Sequence, residues 1–236
     1  MPSNKKLLQA AAGNAGGDKL YVEDVFSTFL YDGTGTTNNI VNGVDLTEGG
    51  LVWFKTRDDV EDHNLVDSER GSNKGLESNT TDAETGSAGF STFNSNGFTL
   101  TGGFGKTNSA SSTYASWTFR KAEKFFDVVT WTGNSTSGRT VAHNLGSAPK
   151  FVIVKRTDTA NNWVCWHSGI AITKYLQINS TSPAYNDGGI FWDSTLPDAS
   201  NITLGADSGV NATGSTYVAY LFASDAGGFG DDGDEN

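Results

Sequence analysis

The sequence predicts an all-β protein: two tandem antiparallel β-sandwich modules of jelly-roll type, preceded by a short N-terminal arm. Three observations carry this. Short apolar runs are separated by clusters of Gly, Ser, Thr, Asn and Asp, with 29 glycines in 236 residues, the punctuation of strands joined by turns. The 14 Phe, 7 Tyr and 6 Trp supply enough ring area to fill a core, although hydrophobic residues make up only 36%. The second half of the chain also repeats the first. Phe26, Gly33, Val41, Val52, Lys55, Asp58, Leu76 and Asn79 recur as Phe126, Gly133, Val141, Val152, Lys155, Asp158, Leu176 and Asn179, each 100 positions on. Towards the end the offset becomes 103, so Asn108, Tyr114 and Phe119 recur as Asn211, Tyr217 and Phe222. A three-residue insertion in one loop accounts for the change. The organisation expected is an arm over residues 1–20, a first module over 21–120, and a second over 121–236 that ends in an acidic tail.

Each copy has the same elements in the same order. An opening strand, Phe26 to Tyr31 or Phe126 to Trp131, runs into a turn over 32–39 or 132–138. The next strand is apolar at every position, Leu51-Val52-Trp53-Phe54 or Phe151-Val152-Ile153-Val154, and so is expected at the centre of a sheet covered on both faces. Lys55 and Lys155 then mark its re-entry into water. Shorter strands follow at 64–66 and 163–166, then at 98–100 and 202–204. The closing strand alternates, with Ala115, Trp117 and Phe119 on one face, and likewise Val218, Tyr220 and Phe222; this period of two predicts a half-buried strand. Arg120-Lys121-Ala122-Glu123-Lys124 joins the copies and is too short to let them move freely. In the arm, Lys5 to Ala12 is a good helix former but too short to be stable alone.

Composition narrows function. The formal net charge of −11 disfavours a nucleic-acid partner, because a phosphate-tracking groove needs clustered Lys and Arg. No run approaches the ~20 apolar residues of a membrane-spanning helix. Cys165 is the single cysteine, so no intrachain disulfide forms, and its neighbours in Trp163-Val164-Cys165-Trp166 predict a buried structural thiol. Synthesis in a reducing cytoplasm is expected.

Catalytic patterns are missing from the sequence. His63, His143 and His167 lack the spacing of a zinc site and are expected on loops or at the surface. No G-x-S-x-G elbow occurs. Gly102 to Thr107 superficially resembles a phosphate-binding loop, but the spacing is wrong and a flexible hairpin loop is expected there. The chain is therefore read as a non-enzyme with no catalytic residue, no resident metal and no cofactor. Asp58, Asp59, Glu61 and Asp62 form a carboxylate cluster able to hold Ca²⁺ weakly, and Asp231, Asp232, Asp234 and Glu235 form a second. Trp131, Trp163, Trp166 and Trp192, with Tyr185, sit among polar residues and are the candidates for stacking on a glycan.

Three segments are suggestive together: Gly50-Leu51-Val52-Trp53-Phe54-Lys55-Thr56-Arg57-Asp58, Phe93-Asn94-Ser95-Asn96-Gly97-Phe98-Thr99-Leu100, and Ser112-Thr113-Tyr114-Ala115-Ser116-Trp117-Thr118-Phe119. In that order they resemble a module found in tail-fibre and other virion proteins of marine bacteriophages, with a jelly roll of the concanavalin A/laminin-G type. The second copy keeps the pattern in His143-Asn144-Leu145-Gly146-Ser147, Val152-Ile153-Val154-Lys155-Arg156 and Thr216-Tyr217-Val218-Ala219-Tyr220-Leu221-Phe222. The resemblance spans 21–233 and brings no catalytic residues. It implies a virion structural protein, first of all a tail fibre or fibre-like appendage anchored to other virion proteins by its arm, with host-surface attachment. It also implies a homo-oligomer, by family analogy a trimer. A capsid decoration or neck protein is the structural alternative; a carbohydrate-binding module or glycan depolymerase is the alternative of a different class. A chain continuing past Asn236, or a tail serving as a docking strand, is a further expectation.

Overall fold

The computed structural model describes residues 20–86 and 88–224. The expected arm, apart from Leu20, and the cluster from Asp231 to Glu235 lie outside the described residues. A one-turn helix α1 (Val22–Val25) leads into β1 (Phe26–Asp32), β2 (Asn38–Val41), β3 (Gly50–Thr56), β4 (Asn64–Asp67), β5 (Leu76–Glu77), β6 (Phe90–Asn94), β7 (Gly97–Leu100) and β8 (Thr113–Arg120). They form a large sheet of order β1-β8-β3-β4-β5 and a small one of order β2-β7-β6. The second half contains β9 (Phe126–Thr132), β10 (Arg139–Ala142), β11 (Phe151–Arg156), β12 (Val164–His167), β13 (Lys174–Gln177), β14 (Tyr185–Asn186), β15 (Asn201–Leu204), a short helix α2 (Ser208–Asn211) and β16 (Thr216–Phe222). Its sheets run β14-β13-β12-β11-β16-β9 and β10-β15. The neighbours correspond strand for strand. The bridge Gly75–Thr85 even stands where Tyr175 pairs with Tyr185. β6 has no counterpart, since 188–194 form turns. Every ladder among the described residues is antiparallel and stays within one half.

Several of the repeated residues fix the crossover into the closing strand. Asn108, fully buried, accepts from Thr34 N (3.0 Å) and donates to the carbonyls of Thr36 and Gly102 (2.8 Å for Gly102). Asn211 does the same with Asn134 N (3.0 Å), Thr136 O (2.9 Å) and Gly205 O (3.0 Å). Tyr114 OH donates to Gly105 O and accepts from Ser109 N; Tyr217 OH donates to Ser208 O and accepts from Ala212 N. Gly33 and Gly133 recur because the backbone passes too close for a side chain: a Cβ would lie 2.1 Å from Ser109 O or from Ala212 O. Gly102 to Thr107 belongs to this crossover and so is not the hairpin loop expected, for it carries the chain from the small sheet (β7) to the large one (β8).

Three apolar layers result. One lies between the sheets of the first half, around Val52, Phe54, Val66 and Phe98. Another lies between those of the second, around Val152, Val154, Trp166 and Leu221. The third joins the outer faces of the two large sheets, with Leu51, Leu65 and Leu76 against Phe126, Val128, Ile153, Trp163, Val218 and Tyr220. Alternation along β3 and β11 sends successive residues into different layers, which is why those strands are apolar throughout. The third layer, the seam, corrects two expectations. β16 is buried on both faces, because Val218 and Tyr220 face the seam while Tyr217, Ala219 and Leu221 face the sandwich interior. Lys155 does not re-enter water: it is fully buried, covered by the first half.

Because the halves share a core, urea unfolding is expected as a single transition seen alike by tryptophan fluorescence and circular dichroism. Asn211→Ala takes the side-chain partner from three backbone groups, of which Gly205 O is buried, and should cost about 1–3 kcal/mol. It should move that one transition as a whole. Two separated transitions, with only the later-numbered half destabilised, would show that the seam does not couple them.

Candidate functional site

The four tryptophans expected at a glycan surface are all buried: Trp163 is 0% exposed, Trp192 2%, Trp166 3% and Trp131 7%. This corrects the expectation. Trp131 stacks on Tyr217 and donates to Val210 O (3.0 Å), and Trp163 donates across the seam to Glu77 O (2.9 Å). Thr130 and Thr132 beside Trp131, and His167 beside Trp166, are exposed on the same strands, while the rings are buried. Tyr185 is exposed and stacks on Tyr175. Cys165 is buried as expected, and burial pushes its thiol up to about 12. His167 is exposed, whereas His143 is buried in its loop, accepting from Leu145 N at 3.2 Å.

The acidic cluster does not act as one unit. Asp58 accepts from Thr113 N (2.8 Å), Asp59 from Val60 N (2.7 Å) and Asp62 from Asn79 Nδ2 (2.6 Å). That last bond, with Lys106 nearby, holds the Asp62 carboxyl below its ordinary range. Among the described residues no three His, Cys, Asp or Glu side chains form a metal-holding group.

The open surface lies elsewhere. On the outer face of the first large sheet, the register aligns Thr28, Trp117, Trp53 and Leu65 in one row, and Leu30, Ala115 and Lys55 in the next. Leu65 is taken up by the seam; Leu30 is 57% exposed, Thr28 is exposed, and Trp53, Trp117, Ala115 and Lys55 are part-exposed. The two indoles meet edge to face, with centroids 6.5 Å apart. Trp53 Nε1 donates to His63 Nδ1 at 3.2 Å, and burial together with the Lys55 charge keeps that imidazole below its ordinary pKa, in the neutral form that accepts. The loop 57–63 borders the face, and Val60 on it is 97% exposed. Such a surface offers contact chemistry only: two part-exposed indoles and aliphatic carbons, rimmed by a hydroxyl, an imidazole and an ammonium. The sequence reading missed it. Trp53 lies in an unbroken apolar run and Trp117 in an alternating strand, so both look like core. The available signal was the repeat, which sets Trp53 against Ile153 and Trp117 against Tyr220.

The equivalent face of the second half is closed. The hairpin loop 78–84 lies on it: Thr81 O accepts from Lys155 Nζ (3.0 Å) and from Asn161 N (2.8 Å), and Glu84 N donates to Thr157 O (2.9 Å). Lys155 also donates to Asn161 O (2.8 Å) and sits 6.0 Å from the Trp163 ring centroid. Also across the seam, Asp67 accepts from Tyr220 OH (2.8 Å) and pairs with Arg70 (2.6 Å), which in turn pairs with Glu84 of the hairpin (3.0 Å). A cleft of about 510 Å³ beside Arg70 and Lys74 has its cationic lining satisfied by Glu84.

Burial lowers the Lys155 ammonium from 10.5 to about 8. Below about 8 the lysine is charged whether folded or unfolded, and the cost of burying the charge is fully present. Between about 8 and 10.5 the unfolded chain holds a proton that the folded one has lost, so stability from this group rises with pH. Denaturation at pH 7.5, 9 and 10 should therefore show wild type gaining on Lys155→Met, and a constant difference would refute it. Cys165 should resist thiol reagents until the chain unfolds.

No curated protein and no solved structure matches the chain. Residues 22–233 match the family described as a domain of unknown function, DUF7483. That span takes in both halves, the seam and the open face, and on it the chain belongs to the DUF7483 family.

Proposed function

We propose that the chain is a structural protein of a virion, a tail fibre or fibre-like appendage, that works through its surfaces and not through a reaction. The observation that supports this is the seam. A continuous apolar layer locks four sheets into one body, and a part-exposed aromatic face remains open on it. A shaft or a receptor-facing head needs such a body, and the open face serves assembly or attachment. The virion context comes from the resemblance of the sequence modules. Residues 1–20 are proposed as the anchor to other virion proteins. A capsid decoration or neck protein would need the same body. The carbohydrate-binding or depolymerase reading has one observation in its favour, the Trp53–Trp117 pair beside His63, since indole faces pack well on the apolar faces of sugar rings.

Antibody labelling of intact particles, with peptide mass spectrometry, tests the reading. Label at the tail appendages is expected; label on the shell or neck selects the structural alternative, and absence from particles overturns both. Release of reducing ends from host polysaccharide would replace them with the depolymerase. Deleting residues 1–20 should abolish incorporation while leaving the unfolding midpoint unchanged.

A further inference from the structure

The contact between the halves is offset: beside the contact of Phe119 with its counterpart Phe222, it joins elements that do not correspond to each other in the repeat. β3 and β8 of the first half lie against β9, and hairpin 78–84 lies on the loop after β11. Among the described residues no hydrogen bond makes the reciprocal contact, from hairpin 178–184 to the loop after β3. The seam therefore leaves two parts of one interface without a counterpart, each continuing outward from its edge. The first is the open face with Trp53, Trp117 and Lys55. The second is the tip of hairpin 178–184: Ile178 at its base packs against the seam, while Thr181 is exposed.

This second hairpin is shaped like the one already docked. Thr80 N donates to Glu77 O and Asp82 N to Thr80 Oγ1 (3.2 Å), as Ser180 N donates to Gln177 O and Ser182 N to Ser180 Oγ (3.1 Å). Thr81, whose carbonyl receives Lys155, corresponds to Thr181, and Lys155 corresponds to Lys55. Charge decides which hairpin can fill the open face. The docked hairpin, with its flanking Glu77, carries Asp82 and Glu84 and meets the end of β11 and the loop after it, where Lys155 and Arg156 outnumber Asp158. At the open face Lys55 and Arg57 are outnumbered by Asp58, Asp59, Glu61 and Asp62, and this acidic excess would repel a hairpin of that kind. Residues 177–184, Gln-Ile-Asn-Ser-Thr-Ser-Pro-Ala, carry no charge.

We propose that hairpin 178–184 of a second copy docks on the open face of the first half, joining chains head to tail. The inference rests on reading that face as an assembly surface. A heterologous contact of this kind need not stop at two copies, since each added chain presents a fresh face.

Sedimentation of the full chain over a range of concentrations provides the test. Wild type should exceed its 25.0 kDa monomer mass increasingly with concentration. Trp117→Ser removes the face and Thr181→Asp sets a carboxylate against the acidic loop; each should weaken association by about tenfold or more, with unfolding midpoints near wild type. Mixing the two variants should restore a one-to-one dimer, because each keeps the half that the other has lost. A wild type that stays monomeric, or a mixture that does not pair, overturns the proposal. So does a monomer that binds host polysaccharide through Trp117, which would make the face a glycan platform. Absence from particles would instead refute the virion reading and leave the measured association standing.

Discussion

Everything in this molecule depends on how the outer faces of its two large sheets are covered. An antiparallel sheet can leave one face in water, and a β-sandwich normally does so on both of its outer sides. Here the outer faces carry Leu51, Leu65 and Leu76 on one sheet and Phe126, Val128, Ile153 and Tyr220 on the other. Exposed separately, they would be two large apolar surfaces. Packed together, they make the seam, and each fully buried side chain of this kind contributes about 1.5–3 kcal/mol relative to exposure.

The seam also breaks the equivalence of the repeat. Lys55 and Lys155 begin as the same residue at the end of the same strand. Lys155 is enclosed beneath hairpin 78–84 and loses basicity, while Lys55 stays part-exposed and turns back to Thr56 O (2.7 Å) and Asp59 O (3.2 Å). Ile153 and Tyr220 fill the seam, while their counterparts Trp53 and Trp117 reach its edge and beyond. Offset packing of two like sheets necessarily leaves part of one face unmatched. The candidate site is that unmatched part.

The seam is polar where it must be. Tyr220 OH, the Trp163 indole N–H and the Lys155 ammonium all end on partners from the first half. These bonds add little net energy, since each replaces a bond to water, but leaving one of them unmade is costly. They fix the register between the halves, and with it the position of the open face.

The strand content, the repeat and the central place of Leu51 to Phe54 and Phe151 to Val154 are local matters: turn residues, periodicity and apolar runs dictate them, and the sequence alone determined them. The recurrence of Gly33, Asn108 and Tyr114 as Gly133, Asn211 and Tyr217 likewise marked a shared crossover before its hydrogen bonds were seen. The tertiary structure alone decided which rings meet solvent. Trp163 and Trp166 stand next to asparagine and histidine in the chain yet lie inside, and Trp53 stands between Val52 and Phe54 yet reaches the surface. Neighbours along a strand point to opposite faces, so polarity in sequence says nothing of what covers a given face. That depends on the offset between two sheets 100 residues apart, a packing choice that no local pattern encodes.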